Sequence, residues 1–163
     1  MTTGVSRSAI EQALAELITY QQGFKFQSIA VTLAKRRWPE LVACEWGHDL
    51  GRDAYAPAAT SPDARGKVVA ASLTATLAKV KDDAAKNKKY ADDVSLLVFV
   101  TPRPLTNDAT RAWAEEIRSA YGYELLVIPR EDLINELLHP ENGWICREWR
   151  GRISTDRSRT GQP

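Results

Sequence analysis

Val94-Ser95-Leu96-Leu97-Val98-Phe99-Val100 is a nearly unbroken apolar run closed by Thr101-Pro102. It is too short for a buried helix and rich in β-branched residues, so it reads as a strand covered on both faces, in the centre of a sheet. Downstream, Asn107–Tyr121 has helical spacing with Trp113 and Ile117 facing inward, Tyr123–Ile128 (YELLVI) is a second buried strand, and Arg130–Leu138 is a short helix. Strand, helix, strand and helix in that order predict parallel pairing, with helices packed on a central sheet.

Upstream, the pattern changes. Thr76–Tyr90 is Ala, Lys and Asp rich, which predicts a mostly exposed helix in which Lys79, Lys81, Lys86, Lys88 and Lys89 outnumber Asp82 and Asp83. Before it lie three short strand-like pieces, Leu41–Trp46, Arg52–Ala56 and Lys67–Leu73. They are separated by the turns Gly47-His48-Asp49-Leu50-Gly51 and Ser61-Pro62-Asp63-Ala64-Arg65-Gly66, the simplest pattern for a meander. Two helices precede them. Ala9–Tyr20 is amphipathic, is capped by Ser6 or Ser8 and ends near Gly23; Phe26–Arg37 buries Phe26, Ile29, Ala30 and Leu33 and stops at Pro39.

The 163 residues suit one domain with a single core, and 44% hydrophobic with 26% charged residues is an ordinary globular balance. Lys and Arg number 22 against 21 Asp and Glu, a net charge of +1, so any hold on nucleic acid must come from local patches. Cys44 and Cys146 form no metal-type cluster and read as reduced, packed thiols. There is no signal-like apolar run and no stretch of about 18 apolar residues, so a cytoplasmic protein without membrane contact is expected. The expected organisation is an accessory helix over 1–23, the main domain over 24–150 and a linker-like tail over 151–163. Such a tail suggests further domains of a longer parent chain, and self-association is left open. No phosphate-cradling glycine loop, zinc spacing or nucleophile elbow occurs.

The order of helix, three-strand meander, helix, strand, helix and strand, together with Gly47-His48-Asp49-Leu50-Gly51-Arg52-Asp53, resembles the PD-(D/E)xK nuclease superfamily, and within it the Mrr-like restriction endonucleases. The resemblance covers about Phe26–Leu138. It implies an α/β restriction-endonuclease-like fold, a central mixed sheet of about five strands flanked by helices. It also implies a Mg²⁺- or Mn²⁺-dependent DNA endonuclease, the effector module of a larger bacterial restriction or antiphage defence protein. By that match Asp53 is the metal ligand, with Asp49 across the glycine turn in support. Gln27 stands where the family carries the Glu of a Phe-Glu pair, and Glu11 or Glu16 could supply that acid.

The residues make a parallel case. Mg²⁺ takes hard oxygen ligands, often only one or two carboxylates plus water and phosphate, so an acid fixed at the start of a rigid strand suits it. Asp and Gly also populate turns for backbone reasons alone, which is the competing reading of Asp49 and Asp53. Where the family has an acid or Gln and a Lys two residues later on its third strand, this chain has Ala70 and Ser72. The lysine then has to come from Lys79 or Lys81 on the following helix, with Ser72 as polar support and His48 and Arg52 as further DNA contacts. The alternative is a degenerate site in a module that binds DNA or a partner chain without cutting. A third reading is a small-molecule or nucleotide sensor on a doubly wound sheet, using the carboxyl ends of the buried strands near Thr101 and Pro129. The five tryptophans are scattered, as in packing rather than base stacking, and the arginines near the C-terminus suit either DNA contact or a soluble linker.

Overall fold

The computed structural model describes residues 5–44, 52–90 and 93–149. Helices α1 (Arg7–Thr19) and α2 (Gly23–Arg37) lead into strands β1 (Val42–Ala43), β2 (Ala54–Ala56) and β3 (Gly66–Ala71). Helix α3 (Leu77–Tyr90), strand β4 (Val94–Val100), helix α4 (Asn107–Tyr121), strand β5 (Glu124–Ile128) and helix α5 (Arg130–Leu138) follow, and residues 143–149 are again helical. The strands form one mixed sheet in the order β1-β2-β3-β4-β5. β1, β2 and β3 pair antiparallel, while β3, β4 and β5 pair parallel. This is the α/β, five-stranded, helix-flanked sheet expected from the sequence, and it is consistent with a restriction-endonuclease-like arrangement.

The sheet separates two apolar layers. Ile10, Leu14 and Leu17 of α1, Phe26, Ile29 and Ala30 of α2, and Leu133, Ile134 and Leu137 of α5 cover one face, against Val69, Ala71, Val98 and Val100. On the other, Val80 and Ala84 of α3 and Ile117 of α4 meet Val68, Ala70, Leu97 and Phe99. The first helix, expected as an accessory, therefore shares the main core. Ser6 caps it by accepting the Ala9 N–H at 3.3 Å.

Several boundaries differ from expectation for identifiable reasons. β2 begins at Ala54, because the Asp53 side chain replaces a backbone rung, as described below. Of the expected strand Leu41–Trp46, Val42 and Ala43 pair in the sheet, and 45–51 lie outside the described residues. β4 lies inside the sheet but β3 is the central strand, and β5 forms an edge with Glu124 exposed. Helix α3 is not mostly exposed: Val80, Asp83, Ala84 and Asn87 recur at helical spacing and are all buried. The helical stretch at 143–149 buries Ile145, Cys146 and Trp149, extending the core past Leu138.

Two glycines are required by their surroundings. A Cβ on Gly66 would lie 2.2 Å from the Asp93 carbonyl oxygen, where the chain enters β4, and Gly122 ends α4 at φ +73, a left-handed cap. No helix among the described residues is long and apolar enough to cross a membrane.

One ion cluster lies inside the fold. Lys67, on β3 and only 1% exposed, reaches Asp63 at 2.6 Å and Glu40 at 3.0 Å. Burial pushes its ammonium down, but the bonds from Asp63 and Glu40 lift it above the ordinary lysine range. Asp63 is correspondingly held low by its bond from Lys67. Removing the lysine strands the Glu40 carboxylate, which is only 10% exposed, and truncation to alanine adds a cavity that a methionine side chain would fill. Lys67→Ala should therefore destabilise the fold by about 3 kcal/mol, and Lys67→Met by clearly less, read as urea-unfolding midpoints; equal losses would show that charge, not packing, governs the position.

Candidate functional site

Asp53 is fixed on three sides. Its N–H donates to the Val69 carbonyl at 2.6 Å and its carbonyl accepts the Cys44 N–H at 2.8 Å, so its backbone is stapled between the outer strand and β3. The register pairs Ala54 with Val69, so the extra bond from Asp53 to the same Val69 is a one-residue slip of the ladder, as in a bulge. The slip leaves the Ala71 N–H without a backbone acceptor from β2, and the Asp53 carboxylate accepts that proton at 2.7 Å. The acid is half-buried at the end of β3, one oxygen turned to the backbone.

The groups around it have their own engagements. Arg52 lays its guanidinium 4.6 Å over the Tyr55 ring, and its buried Nε has no hydrogen-bond partner. The Tyr55 hydroxyl donates to Asp93 at 2.8 Å, and Asp93 also accepts the Ala58 N–H at 2.8 Å. That backbone bond, with Tyr55 and Arg52 behind it, holds the Asp93 carboxyl below its usual range. Arg52 is thus drawn back along the strand. Cys44, beside Asp53, has its thiol pushed up by burial against the lowering pull of Arg52.

Ser72 donates its N–H to the Val100 carbonyl at 3.0 Å, and its Oγ accepts the Thr74 N–H at 3.0 Å, which shapes the exit from β3. Thr76 then accepts the Lys79 N–H at 3.2 Å and opens α3. Lys79 is 32% exposed and bonds Asp83 at 2.9 Å; Lys81 bonds Glu116 of α4 at 2.7 Å. Both candidate lysines therefore hold carboxylates. Gln27 is half-buried on α2, and His48 and Asp49 lie outside the described residues. Among the described residues no three His, Cys, Asp or Glu side chains gather to hold a metal ion. Asp53 and Gln27 are hard oxygen donors of the kind Mg²⁺ takes, but only one of them carries charge.

The residue that sequence reasoning passed over is Asp83. Its side chain is 3% exposed under α3, and burial pushes its carboxyl up to about 6 against the pull of Lys79. Its backbone carbonyl accepts Asn87 Nδ2 at 2.8 Å. The signal for it was the i, i+4 recurrence of Val80, Ala84 and the acid on a single stripe, hidden by the surrounding lysines.

Two outcomes follow. Asp53→Ala should cost about 1–3 kcal/mol in unfolding free energy because the Ala71 N–H loses its acceptor, while Asp53→Asn, which keeps an oxygen there, should cost less; equal losses would remove the bond as the cause. For Asp83, a rise from 3.8 to about 6 means that folding disfavours the ionised form by on the order of 3 kcal/mol. That cost is absent below the unfolded value and fully present above the folded one. Asp83→Asn should therefore be the more stable protein at pH 7, with the advantage vanishing as pH falls through 6 toward 4; an advantage independent of pH in urea titrations would refute the assignment.

No protein-family model, no curated protein and no solved structure matches the chain.

Proposed function

We propose that this chain is a Mg²⁺-dependent DNA endonuclease domain of the PD-(D/E)xK, Mrr-like class, acting in the cytoplasm as the nuclease effector of a larger restriction or antiphage defence protein. The observation that supports the reading best is the fixing of Asp53: a carboxylate clamped to the Ala71 N–H at the point where an antiparallel meander meets a parallel sheet. An acid held by strand backbone on both sides is pre-organised, which is what a group serving a phosphodiester needs.

Asp53, with Gln27 as a neutral oxygen donor and Asp49 from the glycine turn, would hold the Mg²⁺ or Mn²⁺ ion. The ion's contribution there is charge neutralisation and a water of lowered pKa. With so few charged ligands in this chain, metal affinity rests on phosphate oxygens arriving with the DNA. Lys79, exposed at one end of its bond to Asp83, is the amine available to a developing phosphate charge. Lys81 would first have to leave Glu116. Ser72 sets the turn that delivers α3 to this end of β3, and Arg52 and His48 lie in the segment that would meet the backbone of the duplex.

A second reading is favoured by a specific observation. Lys79 and Lys81 both hold carboxylates, and Ala70 and Ser72 occupy the positions of the family's acid and lysine. On this reading the module binds DNA or a partner chain without cutting it. Supercoiled plasmid with Mg²⁺ or Mn²⁺ separates the two. The nuclease reading expects nicking by the native chain, a loss of about 100-fold in Asp53→Asn, and a smaller loss in Lys79→Ala. Cutting that survives Asp53→Asn would remove Asp53 from the centre. A native chain that retards duplex DNA but never nicks it would establish the binding module.

A further inference from the structure

At the carboxyl end of the parallel strands, where Val100 on β4 pairs with Ala71 on β3, α2 and α5 leave a hollow of about 190 Å³. Its cause is legible in α2, which turns the small side chains of Ala30 and Ala34 toward it. The helix covers the sheet there without filling the space. Val100, Leu126 and Ile128 form the floor and Trp38 stands at one end. Apolar surface left open between two helices on a parallel sheet is the usual form of a small-ligand site.

Charges of both signs surround this hollow. Arg37 lies on the α2 side, its guanidinium 4.6 Å over the Trp38 ring. Asp132 and Glu136 lie one helical turn apart on the α5 side. Their sequence neighbours are paired: Arg36 with Glu141 at 3.5 Å, and Glu131 with Arg7 at 2.7 Å. Arg37, Asp132 and Glu136 hold no counter-ion among the described residues, although all three line the same space.

We infer that this hollow binds a free amino acid with an apolar side chain. The side chain lies on Val100, Leu126 and Ile128 beside Trp38, the carboxylate meets Arg37, and the ammonium meets Asp132 and Glu136. An apolar floor alone would accept any hydrocarbon. The guanidinium and the two carboxylates that line it favour a ligand carrying both charges. The volume selects further, since it admits a side chain of leucine or phenylalanine size and is below the roughly 300 Å³ at which drug-sized ligand sites begin. The inference is independent of Asp53 and of whether the chain cuts DNA.

The test is a titration of the whole chain with L-leucine and with L-phenylalanine, followed by amide NMR. Isoamylamine and 4-methylpentanoate serve as leucine analogues lacking one charge each. The expected result is a saturable shift at Val100, Leu126, Ile128 and Trp38 with at least one of the amino acids. Either analogue should bind about tenfold more weakly than leucine, and Arg37→Gln or the pair Asp132→Asn/Glu136→Gln should weaken the amino acid about tenfold. These rim residues are exposed, so the variants should keep the native spectrum elsewhere. No saturable shift with either amino acid overturns the inference. So does isoamylamine binding as tightly as leucine with Arg37→Gln indifferent, which would mark a plain amine or apolar site.

Discussion

β3 is the strand on which everything else is registered. All six of its residues are buried, its antiparallel edge meets β2 and its parallel edge meets β4. A strand in that position can leave no backbone group unpaired and no side chain unaccommodated. Each irregularity along it is answered by a particular residue. At its start Gly66 lets the chain before β4 approach closer than any Cβ allows. One residue on, Lys67 points a charge into the layer and is met by Glu40 and Asp63. At its end the Ala71 N–H is met by the Asp53 carboxylate.

The last of these answers connects fold to site. An aspartate that completes a sheet ladder is a structural group first, yet the same bond fixes its carboxylate in direction and height at the end of β3. Asp83 shows the opposite balance. It is an acid held under α3 at a cost in charge burial, relieved in part by Lys79 and more weakly by Lys86. Such a pair sets where the Lys79 amine rests, because the ammonium gains more from a buried carboxylate than from water. The Asp53 carboxylate and the Lys79 amine are thus fixed in different ways, by backbone pairing in one case and by a buried counter-charge in the other.

The fold was readable because its strongest signals are local. Val94–Val100 and Asn107–Tyr121 have the bounds that their periodicity predicts, since each is long, strongly patterned and bounded by Pro or a cap. The short strands were readable as a meander but not in their ends. Whether Asp53 is a ladder residue or a turn residue depends on where β3 places Ala71, which no local pattern encodes. The burial of Lys67 and Asp83 was hidden for a related reason. A charged residue carries the same letter whether it faces water or a counter-ion, and the partners here lie 27 positions away for Lys67 and Glu40, a tertiary fact. The hollow between α2 and α5 was foreshadowed only by the sensor reading at the carboxyl ends of β4 and β5, because small residues at Ala30 and Ala34 look like ordinary helix packing.

The distribution of charge explains why the whole-chain balance of +1 says little about partners. Arg7, Arg65, Lys67, Lys81 and Lys86 each hold a carboxylate, so much of the positive charge among the described residues is neutralised within a few ångströms and projects little field beyond a Debye length. Recognition by such a surface cannot rest on a general pull. It has to be made at short range, by groups the fold leaves without an internal counter-charge or holds in a fixed direction. Asp53 is of the second kind, and Arg37, Asp132 and Glu136 are of the first. Both sets lie at the carboxyl end of the parallel strands, the acid against Ala71 on β3 and the three charges around the hollow over Val100 and Ile128 on β4 and β5.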